Sequence, residues 1–247
     1  MIELRNVHKA FGKQVVLDGA NLCVNAGKVT SIMGPSGVGK SVTLKLLMGL
    51  LQPDQGEIFV DGQEITHLSN EDLNKVRRKF GMLFQDAALF DDMNVFENIS
   101  FPLYEHTSFS DREIARIVEE KLLEVGLKDV NFKLPNELSG GMRKRVGLAR
   151  AIVLDPKILL FDEPTTGLDP IMTDQIAELI QKTHEHHKMT VVLISHDLAL
   201  SYRIADYIGM LYRGKIVEFS TPDQFRQSKN AFVKEFLEAQ QKHEKLT

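Results

Sequence analysis

Two short segments carry residue types suited to phosphate chemistry. The first is Gly34-Pro35-Ser36-Gly37-Val38-Gly39-Lys40-Ser41, which fits the pattern Gly-x4-Gly-Lys-Ser. Its glycines let backbone N–H groups curl around a β-phosphate, and Lys40 reaches the β- and γ-phosphates. The Ser41 hydroxyl is a ligand for Mg²⁺, and a helix starting there adds partial positive charge. The second segment is Ile158-Leu159-Leu160-Phe161-Asp162-Glu163, an apolar run ending in two acids. Asp162 is the expected Mg²⁺ partner, and Glu163, one residue beyond, is placed to polarise an attacking water.

These segments need a particular scaffold. Val29 to Met33 reads as a short apolar strand feeding the glycine loop, and Ser41 to Leu51 repeats apolar residues (Leu44, Leu47, Met48, Leu51) at helical spacing. Strand, loop and helix follow in the order that the phosphate motif requires. The first 30 residues alternate short apolar segments with the turns Phe11-Gly12-Lys13 and Asn25-Ala26-Gly27, and Gly56 to Gly62 repeats the pattern, so both stretches predict strands. From about 90 to 157 the spacing turns helical. Ser110 and Glu113 form a capping box ahead of Ile114, Ile117, Val118, Leu122 and Val125. The runs Ile158 to Phe161 and Val191 to Ile194, short and flanked by polar turns, predict buried parallel strands with which the parent domain resumes after the lobe.

The chain has 247 residues, 43% of them hydrophobic and 26% charged, with a formal net charge of -4. That is enough for one large domain with an inserted lobe. Acids and bases are mixed along it, so no basic stripe points to nucleic acid. The opening Met-Ile-Glu-Leu-Arg places charges where a secretory signal needs an apolar stretch, and no run approaches the length of about 18 apolar residues, so a cytoplasmic chain is expected. Cys23, the only cysteine, is expected to be a small buried side chain in a strand. The histidines His184, His186 and His187 read as a solvated helix end rather than a metal site.

Between the two phosphate-directed segments lies Leu138-Ser139-Gly140-Gly141-Met142. This resembles the signature motif of ABC (ATP-binding cassette) ATPases. Ser139 is a good N-cap, and the two glycines bare the N–H groups of a helix start, a second phosphate-binding end. The resemblance covers residues 1 to 220. It implies an α/β fold: a P-loop NTPase (RecA-like) core with an ABC-type antiparallel β subdomain, an inserted α-helical subdomain at about 90–157, and a short helical tail over 221–247. It also implies ATP and Mg²⁺, hydrolysis coupled to transport, and a homodimer in which each signature serves the partner's P-loop.

Within the resemblance, Gln85 corresponds to the Q-loop glutamine that senses Mg²⁺ and the attacking water, Asp169 to the D-loop aspartate at the dimer interface, and His196 to the switch histidine on the γ-phosphate. Phe11 takes the place of the ring that stacks on adenine, with a plain core phenylalanine as the alternative. The chain departs from the usual pattern at Met142, where glutamine is common, and at Val42, where threonine would offer a hydroxyl to the α-phosphate. Neither change removes a backbone N–H.

The stretches Met82-Leu83-Phe84-Gln85, Ala88-Leu89-Phe90, Asp92 to Asn98 and Pro102 to Thr107 resemble the MlaF family, ATPases of phospholipid transporters in Gram-negative envelopes. That family implies a peripheral subunit on the cytoplasmic face of the inner membrane, reaching the membrane through partners. Those partners are an integral permease of the MlaE type, an MCE protein of the MlaD type and often a STAS-domain protein of the MlaB type. Gln85 to Phe96 would then receive the permease's coupling helix, with Leu89, Phe90 and Met93 as apolar contacts; core packing in the helical lobe is the alternative. The tail residues Phe232, Val233, Phe236 and Leu237 are expected to dock on their own domain rather than on a neighbour. A polar-solute importer ATPase shares all the ATP-site motifs. A non-transport cassette acting on ribosomes or DNA usually needs two cassettes in one chain or long coiled-coil insertions, neither of which is present.

Overall fold

The computed structural model describes the backbone over residues 1–244 and side-chain surroundings over residues 1–240. The chain divides into two compact units, Met1–Arg77 with Thr190–Thr247, and Arg78–Met189.

In the first unit, β1 (Ile2–Phe11) and β2 (Gln14–Val24) form a hairpin, and β4 (Gln55–Val60) and β5 (Gln63–Glu64) complete an antiparallel sheet in the order β2-β1-β4-β5. The alternation read from the sequence sets its faces: Ile2 and Leu4 on β1 pair with Val24 and Leu22 on β2, and all four are buried. The same period of two overturns the expectation for Cys23. Leu22 and Val24 take the inward positions, so the thiol between them is exposed.

Beside this sheet in the chain order stands β3 (Val29–Met33), flanked in parallel by β8 (Thr190–Ile194) and β9 (Tyr207–Tyr212), with β10 (Lys215–Ser220) antiparallel to β9. Every residue of β3 and β8 is buried, which accounts for their unbroken apolar character. Helices α1 (Lys40–Leu47), α2 (Asn70–Arg77), α7 (Leu198–Ile204), α8 (Pro222–Arg226) and α9 (Ala231–Glu244) belong to the same unit.

The tail docks on its own unit. Val233 of α9 and Phe225 of α8 are fully buried with Met33, Leu198, Ile208 and Met210, and Phe232, Phe236 and Leu237 pack around them. The Phe232 ring stacks on Tyr212 at 3.5 Å and 15°. Phe225→Ala should therefore empty a filled site and cost about 3–5 kcal/mol, read as a lower midpoint in urea denaturation; an unchanged midpoint would show that this cluster does not stabilise the unit.

In the second unit, β6 (Phe80–Leu83) runs parallel to β7 (Ile158–Asp162). The chain between them forms α3 (Val95–His106), α4 (Asp111–Glu124), a 3₁₀ turn at Pro135–Glu137 and α5 (Gly140–Ile152), and β7 leads on to α6 (Pro170–His187). The capping box at Ser110 forms, with the Ser110 N–H donating to Glu113 at 2.8 Å, and Ile114, Val118, Leu122 and Val125 turn into the core. Asn94 and Glu97 form a second box at the start of α3.

The histidine-rich end of α6 is less solvated than its sequence implies. His184 Nδ1 lies 2.9 Å from the Met189 carbonyl, and His187 Nε2 lies 2.6 Å from a Glu124 oxygen, leaving only His186 of the three exposed. Glu124 is remote in sequence, so local reading did not reveal the pairing.

Candidate functional site

The phosphate loop fills the gap between β3 and α1 in the first unit. Its conformation demands glycine at two places. Gly34 has φ 155°, and a Cβ there would sit 2.5 Å from the Leu211 carbonyl oxygen; Gly39 has φ 110°, and a Cβ would sit 2.5 Å from Val16 Cγ1. Gly39 is also the N-cap of α1, so the helix begins with orphan amides and positive dipole facing the loop, and no acid occupies its first turn. Lys40 is buried, and its ammonium donates to the carbonyls of Gly34 (2.8 Å) and Pro35 (3.1 Å), which pins it across the loop. Ser36, Gly37 and Ser41 are exposed, while Pro35, Val38 and Val42 are half-buried.

A pocket of about 280 Å³ adjoins the loop, bounded by Gln14 to Val16, residues 35–38 and the Tyr212 to Gly214 turn. Phe11 is not part of its lining. The ring is 47% exposed at the end of β1, with the Lys9 ammonium 5.5 Å from its centroid, so it is no core phenylalanine.

His196 follows β8 between two anchored residues. The Asp197 N–H donates to Ser195 Oγ at 2.9 Å, and Asp197 caps α7 by accepting from the Leu200 N–H at 3.0 Å. His196 itself is exposed, and its carbonyl accepts from the Gln240 side chain of α9 at 3.4 Å.

The second unit carries the acids and the serine-glycine tip. Asp162 closes β7, and Glu163 follows with φ 50°. A non-glycine residue in the left-handed region costs about 1–3 kcal/mol and persists only when its surroundings enforce it. Here Thr166 helps, its N–H and Oγ1 directed at the Glu163 carbonyl (3.3 Å) and carboxylate (3.4 Å).

Ser139 caps α5, accepting from the Met142 N–H at 3.3 Å, so Gly140 and Gly141 form the helix tip as read from the sequence. A Cβ on Gly141 would lie 1.8 Å from Met172 Cε, and one on Gly140 would lie 3.7 Å from Leu168 Cδ2. The tip is thus packed against the segment holding Asp169, which caps α6 by accepting from the Met172 N–H at 2.9 Å.

Gln85 is exposed just beyond β6, and its backbone carbonyl accepts from the buried Lys144 ammonium. Burial pushes the Lys144 pKa down, opposed by the negative charges of Asp86 and Glu163. Lys144 escaped the sequence reading because Arg143-Lys144-Arg145 looks like a solvated run. Asn98 did too: it is fully buried and its side chain accepts from the Phe90 N–H and donates to the carbonyls of Phe90, Met93 and Asn94. That ties down the 90–94 segment, where Phe90 remains 43% exposed and Leu89 and Met93 are half-buried.

The sequence matches the ABC transporter family model over residues 17–166. The chain belongs to the ABC transporter family. It is 45% identical to the intermembrane phospholipid transport system ATP-binding protein MlaF of Haemophilus influenzae, covering 97% of this chain and 91% of that one. It is 44% identical to a probable ribonucleotide transport ATP-binding protein of Mycobacterium tuberculosis, covering 96% of this chain and 66% of the relative. Among solved structures, a dimeric ATP-binding cassette in a post-hydrolysis state with ADP and Pi matches with a TM-score of 0.82 at 33% identity, over 90% of this chain and 99% of the other.

This ABC protein therefore has the α/β P-loop NTPase cassette fold, with antiparallel β and helical parts, and binds and hydrolyses ATP to power transport. Among the described residues no helix is long and apolar enough to cross a membrane.

Proposed function

We propose that this chain is the ATPase subunit of a transporter moving phospholipid between inner and outer membranes to maintain outer-membrane lipid asymmetry. The observation carrying that substrate class is the 45% identity, across nearly the full length, to a phospholipid-transport ATPase. Two copies would face head to tail, each ATP held between the P-loop of one and the Ser139-Gly140-Gly141 tip of its partner. The helix-tip geometry at Ser139 supports this, since it presents a capped, glycine-bared helix start.

In this reading the backbone N–H groups of residues 34 and 36–41 and the Lys40 ammonium hold the β- and γ-phosphates, with Pro35 shaping the loop, Val42 lies on the α-phosphate side, and Phe11 stacks on adenine. Glu163 takes a proton from the attacking water, His196 hydrogen-bonds the γ-phosphate, and Gln85 orients the water. The water oxygen bonds to the γ-phosphorus as the bond to the ADP oxygen breaks, yielding ADP and phosphate. Asp169 sits at the dimer interface. Ser41, Gln85 and Asp162 offer hydroxyl, amide and carboxylate oxygens, a hard donor set suited to Mg²⁺, which when bound neutralises phosphate charge.

The subunit would lie on the cytoplasmic face of the inner membrane, reaching it through an MlaE-like permease seated over residues 85–96, with MlaD-like MCE and MlaB-like STAS proteins in the complex. Gentle detergent purification from the native membrane, followed by mass spectrometry, tests this. An MCE protein and bound phospholipid are expected; a periplasmic solute-binding protein in their place would make the chain a polar-solute importer ATPase instead.

A further inference from the structure

The helix that starts at the signature tip also grips the segment that carries Gln85. Three residues spaced three apart on α5 do this. Lys144 donates to the Gln85 carbonyl, and Arg150 donates to the carbonyls of Ala87 (2.8 Å) and Ala88 (2.9 Å). Between them Gly147 lets the segment approach so closely that a Cβ there would lie 2.8 Å from Leu83 Cδ1 and 3.0 Å from Ala87 Cβ.

The gripped backbone is not one that this sequence adopts by itself. Ala87 and Ala88 have φ 62° and 47°, consecutive left-handed residues without a glycine or asparagine to ease them. Such a conformation persists where outside bonds enforce it, and the α5 cations supply them: Arg150 bonds the carbonyls of both strained residues, and Lys144 bonds that of Gln85 just before them. Lys144 is 5% exposed and Arg150 is half-buried. Taking the Lys144 charge out of water is costly unless it is hydrogen-bonded, and its acceptor, like those of Arg150, is a carbonyl of this one loop. Arg150 further reaches Asn98 Oδ1 at 3.3 Å, which extends the grip to the 90–94 segment.

We infer that Lys144 and Arg150 are positioning residues that lock the Gln85 loop to the signature helix of the same chain, so that Gln85 and the Ser139 tip move as one body. This rests on the reading above that Gln85 serves the ATP site. When the tip engages a partner's nucleotide, the lock carries that displacement to Gln85 and to the exposed Phe90. Neither cation touches the nucleotide in this scheme, so its effect is on turnover and not on ATP affinity.

Steady-state ATPase assays of the full chain as wild type, Lys144→Met, Lys144→Arg, Arg150→Met and Glu163→Gln test it, with affinity for a fluorescent ATP analogue measured alongside. Lys144→Met should lower kcat about 10-fold with KM for ATP within about twofold, Lys144→Arg should recover most of the loss, and Arg150→Met should behave like Lys144→Met. The double methionine variant should be no worse than the poorer single one, since both break one lock.

If Lys144→Met fails to fold, Arg150→Met carries the same expectation. Wild-type kcat in a folded methionine variant, or a Lys144→Arg enzyme as slow as Lys144→Met, overturns the inference. Should Glu163→Gln also turn over at wild-type rate, the proposed assignment of the ATP-site residues fails; should it be inactive as expected, only the lock is refuted.

Discussion

Glu163→Gln should reduce ATP turnover by about 100- to 1000-fold and convert the protein into a stable ATP-bound dimer. The reason lies in what the substitution keeps. Glutamine retains the size of glutamate and an oxygen for the Thr166 hydroxyl, which lies 3.4 Å from the carboxylate, so the enforced φ of 50° at this position is preserved. What disappears is the ability to accept a proton from the attacking water. Binding energy from two phosphate loops and two helix tips is then conserved without the hydrolysis that ends it. The measurement is size-exclusion chromatography with light scattering in the presence of ATP, alongside phosphate release. A variant that hydrolyses ATP at the wild-type rate refutes the role of Glu163, and one that stays monomeric with ATP bound refutes the sandwich.

How much of this site could be read from the chain depends on how local its physics is. The loop from Gly34 to Ser41 was legible because its needs are met by adjacent residues: glycine where a Cβ would strike Leu211 or Val16, a lysine at the helix start, and an unbroken apolar strand before it. Ser139 was legible for the same reason, since an N-cap bonds its own helix three residues on.

Features set by distant partners were not. Lys144 sits in a charged run that resembles a solvated face, and only the approach of the Gln85 segment turns it into a buried donor. His187 meets Glu124 across the second unit, and nothing beside it in sequence announces that. The left-handed turn at Glu163 was hidden because no glycine or asparagine marks it, which fits a position where conformation is dictated by function and not by propensity. Cys23 was misread for a simpler reason: composition says that cysteine is often buried, but the phase of the strand alternation decides.

Lys40→Ala should nearly abolish hydrolysis, by at least about 100-fold, and unlike Glu163→Gln it should also weaken ATP binding and prevent the ATP-dependent dimer. The Lys40 ammonium is held across the phosphate loop by the carbonyls of Gly34 and Pro35. In the proposed complex it exchanges those acceptors for phosphate oxygens, so it meets the triphosphate both before and during transfer. Alanine leaves the inward-turned carbonyls facing negative phosphate, a repulsion where there had been attraction. The loop itself should survive, because the Thr43 N–H and hydroxyl donate to the Gly39 carbonyl at 2.9 and 3.0 Å and Gly39 keeps its φ. Far-UV circular dichroism should therefore match wild type, and a fluorescent ATP analogue should report the lost affinity. Lys40→Arg does not rescue, since a planar guanidinium presents a wide fork where the loop encloses a point charge. A Lys40→Ala protein that still forms dimers with ATP would move the triphosphate away from this loop. The two variants thus separate holding ATP from breaking it: one should lose both, the other only the second.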